Sequence, residues 1–299
     1  MRKPAILIAL LLTAAAVSLQ AQSVYSDFYV IPAAGHTPGV NGSVWMSDVA
    51  VRNISNTPMT LQLVFVEGGE ANFDNVFPLV SAASTTGSAL VPANGSVLLR
   101  DVLNGYRGMS AVTGAILIGA DRPFAVTSRS YSMSPSGNTI GQTVLPARDF
   151  LDNVGMTTDN TVLAYLPGLI SNAQFRTNLG FVAGSSNSGP MTIAVSLRNA
   201  DGTIVGTRRF TIAAGNFTQL QFSASSVAPG QFDIGSAEFQ IVSGNGALVP
   251  YASVIDNATA DAVFVLGQFP GRTGGTAPLS FGKSAQPSLF REIFDRTRQ

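Results

Sequence analysis

The sequence contains one short passage twice. Residues 58–65 read PMTLQLVF, and residues 190–197 read PMTIAVSL. The likeness extends upstream, where WMSDVAVRN (residues 45–53) matches FRTNLGFVA (residues 175–183). Self-similarity at such a long period is typical of duplicated structural units. The chain is therefore predicted to build one structural unit twice.

Side chains in the repeated passages alternate between apolar and polar. In the first copy Leu61, Leu63 and Phe65 alternate with Thr60 and Gln62, and the second copy repeats the pattern. Alternation with a period of two places apolar side chains on one face of a β-strand. A helix would instead need apolar residues three and four positions apart. The repeated unit is predicted to consist of half-buried strands.

Turn-forming residues divide these strands at short intervals. NADG (residues 199–202) suits a tight hairpin, and ADRP (residues 120–123) and SGNG (residues 243–246) are predicted turns at equivalent places in the two copies. Short strands with regular turns, in units of this length, are typical of β-sandwiches. The predicted fold class is all-β, with two tandem immunoglobulin-like β-sandwich domains, a cleaved signal peptide and a short C-terminal helical tail.

Composition shifts mark the predicted boundaries. A linker is predicted at residues 148–160, RDFLDNVGMTTDN, and the segment after the second copy is rich in Gly, Ser and Pro. The predicted organisation is a signal peptide (1–23), a first β-sandwich domain (24–147), a linker (148–160), a second β-sandwich domain (161–271), and a flexible tail with a short amphipathic helix (272–299).

The N-terminus has the pattern of an export signal. Arg2 and Lys3 precede an apolar run, and small residues at Ala21 and Ser23 provide cleavage positions. A retained membrane anchor is the alternative, but the run is short for a membrane span. The chain has no cysteine, which excludes a lipoprotein anchor and disulfides. The expected location is periplasmic or extracellular, with no membrane span after cleavage.

The residues that could catalyse a reaction or bind a metal ion match no known active-site pattern in the sequence. The single histidine, His36, is predicted in a loop and cannot form a multi-histidine metal site. Glu67 and Glu70 are predicted to lie in a solvated turn, and Glu238 is predicted to point outward from a strand. This placement disfavours a glycosidase, which needs two carboxylates that flank a cleft. Seventeen basic residues balance seventeen acidic ones, so no net charge attracts nucleic acid. No catalytic, cofactor-binding or metal residue is predicted.

One metal alternative stays open in the predicted linker. Its side chains could offer oxygen ligands to Ca²⁺, although their spacing does not match an EF-hand loop. Asp and Asn are also ordinary turn residues. The five residues are Asp149, Asp152, Asn153, Asp159 and Asn160.

Two groups of side chains are candidates for contacting a partner. The first is the apolar face of the C-terminal segment, formed by Leu289, Phe290, Ile293 and Phe294. A helix this short is not stable alone in water, so it must dock on something or stay disordered. The second group consists of Tyr106 and Tyr131, aromatics next to loops and arginines that could stack on a sugar.

The paired openings, in which an aromatic is followed by Ser/Thr and Asp/Asn, and the two PMT strands resemble secreted bacterial tandem immunoglobulin-like β-sandwich repeat proteins without assigned activity. The resemblance covers roughly residues 27–271. It implies a non-enzymatic structural, adhesion or protein-interaction module that binds a protein or another cell-envelope component. The alternative is a carbohydrate-binding protein that uses loop aromatics. A hydrolase is less favoured, and so is a periplasmic pilus chaperone, because that family uses an internal lysine and the lysines here are Lys3 and Lys283.

Overall fold

The structure is a computed structural model. It describes residues 25–39, 42–69, 76–79, 88–133, 136–148, 151–152 and 163–269. Nearly every secondary-structure element in these ranges is a β-strand. The prediction of an all-β chain is therefore confirmed.

The N-terminal half (residues 26–144) forms one 8-stranded sheet. A short helix follows the sixth strand and contributes Val102 and Leu103 to the buried apolar cluster. The elements are β1 (Ser26–Pro38), β2 (Val44–Asn53), β3 (Met59–Glu67), β4 (Val76–Leu79), β5 (Ser88–Val91), β6 (Ser96–Leu99), α1 (Val102–Arg107), β7 (Val112–Met133) and β8 (Thr139–Val144).

The long strand β7 gives this sheet two layers. Its first part, up to Ala120, pairs with β1 and β3. Its second part, from Phe124 onward, pairs with β2 and, from Ser128, with β8. A single buried apolar cluster contains side chains from both parts, so the sheet folds over on itself as a sandwich around that core.

The C-terminal half (residues 151–152 and 163–269) has two separate sheets. One is 4-stranded, in the order β10-β15-β12-β13, and the other is 5-stranded, in the order β14-β11-β16-β17 with β9 beside β16. The strands are β9 (Leu151–Asp152), β10 (Leu163–Ser171), β11 (Phe175–Ser185), β12 (Met191–Asn199), β13 (Ile204–Ile212), β14 (Phe217–Ser223), β15 (Phe232–Ser243), β16 (Gly246–Asp256) and β17 (Ala262–Leu266).

The two halves pair their strands in the same order. β1 lies beside the first part of β7 as β10 lies beside β15, and β2 lies between β6 and the second part of β7 as β11 lies between β14 and β16. The difference is that β15 and β16 are two strands joined by a turn, whereas β7 is continuous. The predicted turn at residues 120–123 is therefore wrong, because the chain passes between layers there as an extended strand.

This order differs from that of an immunoglobulin constant domain, where strands A, B, E and D form one sheet and C, F and G the other. In the C-terminal half β11 pairs with β14 and β12 with β15, as B pairs with E and C with F. However, β10 lies beside β15, and β16 lies beside β11. Strands β10 and β16, which take the places of strands A and G, have thus exchanged sheets relative to the immunoglobulin order.

The two halves share a third buried apolar cluster. The N-terminal half contributes outward-facing side chains of β1, β3 and β7, and the C-terminal half contributes side chains of β11, β14 and β16. Examples are Val64 and Leu117 against Val182, Phe217 and Val249. We call this the interface cluster. The two sheets that meet at the interface cluster therefore make apolar contacts on both of their faces.

The remaining sequence predictions have different outcomes. The NADG turn is confirmed, since the amide N–H of Asn199 donates to the carbonyl of Thr203 at 3.1 Å. His36 lies in β1, so its placement in a loop is wrong. Within the predicted linker, Leu151 and Asp152 pair with β16. The tail (272–299) and its four apolar residues lie outside the described residues.

Candidate functional site

A group of polar side chains surrounds Asp48 on β2. The Asp48 side chain is only 3% exposed, and its Oδ2 accepts hydrogen bonds from Nε and Nη2 of Arg129 at 3.1 and 2.9 Å. Its Oδ1 accepts from the amide N–H of Asp101 at 2.9 Å and from the hydroxyl of Tyr131 at 3.3 Å. Asp48 therefore joins β2 to β7 and to the chain between β6 and α1. We call this group, together with His36, the Asp48 cluster.

A second pair in the cluster connects β1 to the start of α1. Nδ1 of His36 lies 2.8 Å from Oδ1 of Asp101. Asp101 has a left-handed backbone, with φ 42° and ψ 58°, a conformation that Asp and Asn adopt more readily than most residues. Nearby, the hydroxyl of Ser47 accepts from the amide N–H of Gly35 at 2.9 Å. These contacts fill the gap on the edge of β2 between β1 and β6.

The chemistry available to the Asp48 cluster is limited by this pairing. A histidine–aspartate pair can serve a nucleophile, but in the described part of the chain no hydroxyl bonds to the other ring nitrogen of His36. The same part of the chain has no group of three or more His, Asp or Glu side chains that could hold a metal ion. The cluster's contacts are those of a structural connection between strands.

The two predicted aromatic candidates lie near this cluster. Tyr131 is 9% exposed, and the Arg129 guanidinium stacks on its ring, 4.1 Å from the centroid. Burial, followed by the negative charge of Asp48, raises the pKa of Tyr131. Tyr106 lies in α1, packs partly against the N-terminal core, and has a pKa raised by burial. A role for either residue in binding a glycan stays a prediction.

A groove of about 550 Å³ opens where the two halves meet. It arises because β8 pairs with β7 only as far as Val144 opposite Ser128. Beyond that point the chain crosses to β1, where Val30 and Ala147 exchange backbone hydrogen bonds of 2.8 and 2.7 Å. The C-terminal half has the same crossover. There the chain after β17 pairs with β10 through backbone hydrogen bonds between Gln268 and Tyr165. We call this opening the seam groove.

The seam groove has mostly apolar and aromatic walls with a few polar groups. Its residues come from β1, β7, the chain after β8, and the chain after β17. Tyr25 is the more exposed of its tyrosines, at 43%, whereas Tyr29 is buried and donates its hydroxyl to the carbonyl of Phe124 at 3.0 Å. Arg148 and Gln268 supply the polar side chains. The volume of the groove lies within the range of known ligand-binding clefts.

Comparison with known proteins gives no family. No protein-family model matches the chain, and no curated protein matches it either. Among the solved structures, the C-terminal domain of the Streptococcus agalactiae antigen I/II polypeptide BspA is 12% identical, with 81% of this chain and 99% of that one covered at a TM-score of 0.19.

Two further structures show similar values. The C-terminal domain of the Streptococcus pyogenes antigen I/II-family protein AspA is 9% identical, covering 81% of this chain and 98% of that one at a TM-score of 0.15. A chain of the infectious bursal disease virus T13 particle is 12% identical, covering 80% and 68% at a TM-score of 0.19. Likeness at these TM-scores establishes neither a shared fold nor a shared function.

Sequence reasoning did not identify the Asp48 cluster or the seam groove. Asp48 and Arg129 are 81 positions apart, and no local motif connects them. One signal was available: a charged residue at Asp48 corresponds to neutral Asn178 in the second copy. The groove had no such signal, because it depends on how the two halves pack. Among the described residues, no helix has the length and apolar character needed to cross a bilayer.

Proposed function

We propose that this chain is an exported, non-enzymatic protein of the cell exterior that works by binding another protein. In this proposal the signal peptide (1–23) is removed, and the remainder forms two tandem β-sandwich domains whose strand order is a variant of the immunoglobulin type. The domains act together as one adhesion or assembly unit. The partner is a protein component of the cell envelope.

The observation that carries the proposal is the edge strand β13. Within the described residues β13 pairs only with β12, so its other edge is available for backbone hydrogen bonds. Ile204 and Val205 at its start are exposed large apolar residues. An exposed sheet edge with apolar side chains is a common recognition surface, because an extended segment of a partner can add to the sheet as a further strand.

The pairing of charged groups also supports a binding role over a catalytic one. Arg198 binds both carboxylate oxygens of Glu238, at 2.8 and 3.0 Å, and Asp48 is held by Arg129. Carboxylates that are already paired with arginines are not free to act as acid or base, whereas a glycoside hydrolase needs two carboxylates that face its substrate.

The proposal is tested by binding the purified mature chain (24–299) to envelope preparations of the source organism. We expect saturable binding that protease treatment of the envelope abolishes. The double variant Ile204→Lys with Val205→Lys should weaken this binding at least about tenfold, because charge on an edge strand blocks strand addition. The matched control is Ile234→Lys, at a residue that is 65% exposed on β15, a strand that lies between β10 and β12 and not at an edge.

Other outcomes decide between the alternatives. Binding that survives protease but is lost after periodate oxidation of the envelope would favour the carbohydrate-binding alternative. Absence of saturable binding would overturn the proposal. N-terminal sequencing of the native protein tests signal-peptide cleavage separately: we expect the protein to begin after Ala21 or Ser23, and an intact Met1 would contradict cleavage and favour the retained membrane anchor.

A further inference from the structure

The geometry points to the C-terminal segment of the same chain, residues 289–299, as the occupant of the seam groove. We infer that this segment binds the groove through the apolar face formed by Leu289, Phe290, Ile293 and Phe294. This inference does not depend on the proposed partner binding by β13.

The first observation is where the described chain ends. Phe269, the last residue described, is itself part of the groove wall, together with Leu266, Gly267 and Gln268 of the same stretch. The described chain therefore ends at the groove. Any segment that follows is held close to this opening by covalent connection.

The second observation is the match in chemistry between groove and segment. The groove presents the apolar surfaces of Val126, Leu266 and Phe269 and the ring of Tyr25. The segment has four large apolar residues on one predicted helical face, and an isolated helix of this length is not stable in water. Contact with an apolar groove would supply the burial that such a helix lacks.

The third observation is the length of the connection. Residues 270–288, which are 19 residues, separate Phe269 from Leu289 and are rich in Gly, Ser and Pro. A random-coil chain of this length has an end-to-end distance of about 25 Å. That is enough for the segment to turn back into the groove it starts from. Such a short connection gives an effective concentration in the millimolar range, so even weak contacts would keep the groove occupied.

The test uses the absence of cysteine from the chain. A pair of cysteines is introduced into the mature chain (24–299), one in the groove at Ala125 and one beside the apolar face at Ser288. The control pair combines Ser288→Cys with Ala258→Cys, in the exposed turn between β16 and β17. Disulfide formation under mild oxidation is followed over time by mobility on non-reducing gels. Fluorescence of Trp45 confirms that each variant is folded.

We expect the Ala125–Ser288 pair to form an intramolecular disulfide at least about tenfold faster than the control pair, since docking raises the local concentration. Adding Leu289→Asp and Phe290→Asp should reduce that rate to the control value. If Ala125→Cys prevents folding, Pro146→Cys, at another residue that lines the groove, replaces it. Equal rates for the two pairs, or a rate unaffected by the aspartates, would overturn the inference. A disulfide found mainly between two molecules would also overturn it, because the occupant would then be a second copy.

Discussion

At the scale of single residues, Asp48 has more bonding partners than any other acid in the cluster. Its two oxygens receive hydrogen bonds from Arg129, Tyr131 and the backbone of Asp101. A buried carboxylate in a sheet is costly unless such partners compensate for its lost hydration. The second half needs no such group, because the position equivalent to Asp48 is the neutral Asn178, opposite Ser253.

Replacing Asp48 by Ala should lower the free energy of unfolding by about 1–3 kcal/mol, because the amide of Asp101 and the hydroxyl of Tyr131 lose their acceptor. The Arg129 contribution is small, since its side chain is 49% exposed. Urea unfolding monitored by circular dichroism measures the change. The matched control is Asn178→Ala, which should cost less than half as much. Equal losses in the two variants would contradict a special role for Asp48.

Tyr251 should make the protein sensitive to alkali. Its side chain is buried in the N-terminal core cluster, and burial raises the pKa of its hydroxyl far above the usual value, while a hydrogen bond from Gln219 partly opposes this. Below about pH 10, the pKa of an unfolded tyrosine, the Tyr251 hydroxyl is neutral in both states, and its burial contributes fully to stability. Above that pH the unfolded state loses the proton first, so stability falls by up to about 1.4 kcal/mol per pH unit until the folded group ionises.

The variant Tyr251→Phe should therefore show a shallower loss of stability between pH 10 and 12 than the unchanged protein. Urea midpoints measured across this range provide the comparison, and Tyr25→Phe is the control for removing a phenol at an exposed site. If Tyr251→Phe and the unchanged protein lose stability in parallel above pH 10, the burial of this hydroxyl is not what limits alkaline stability.

At the scale of elements, β11 shows why glycine occurs inside a strand. A Cβ at Gly180 would overlap the ring of Tyr251, and a Cβ at Gly184 would overlap the ring of Phe217. Both rings are buried, and Phe217 belongs to the interface cluster. A strand normally loses stability with glycine in its interior, but here the missing side chain provides the space for an aromatic ring.

The change Gly184→Ala should destabilise the protein by about 1–3 kcal/mol through overpacking against Phe217. In a background with Phe217→Leu the same change should cost at least about 1 kcal/mol less, because the smaller side chain leaves room for the new methyl group. Chemical unfolding of the two single variants and the double variant gives this coupling. Strict additivity of the two changes would show that the ring does not occupy the glycine's space.

Sequence patterns predicted the strands well and their second covered face poorly. The alternation in β3 identified Leu61, Leu63 and Phe65 as core residues, and all three are buried. The same rule places Val64 and Val66 on the opposite, solvent-facing side, yet both are buried in the interface cluster. Period-two patterning shows that a strand has two faces, but it cannot show that a distant part of the chain covers the second face.

At the scale of the whole molecule, the interface cluster connects the stability of the two halves. Its residues come from both halves, and Tyr251 and Phe264 of the C-terminal half also pack into the N-terminal core. An apolar contact of this kind differs from the polar, mobile contact usual between domains of one chain. The two halves are therefore expected to unfold together.

The change Val249→Ala tests this expectation. It removes apolar contacts from the interface cluster and should lower stability by about 1–2 kcal/mol. The single tryptophan, Trp45, lies in the N-terminal half and reports on that half alone. We expect the Trp45 fluorescence midpoint in urea to shift as far as the circular dichroism midpoint, whereas the exposed control Val263→Ala shifts neither. A Trp45 midpoint that does not move would indicate that the halves unfold independently.

Tyr25, where the described chain begins, and Phe269, where it ends, both line the seam groove. The two ends of the described chain are therefore neighbours, although 243 residues lie between them in the sequence. Chain ends this close suit circular permutation, so a short peptide could join them and new termini could be opened in the NADG turn. For the same reason, a pulling force applied at Tyr25 and Phe269 would act at the seam groove. It would separate the strands there first, rather than shearing the sheets along their full length.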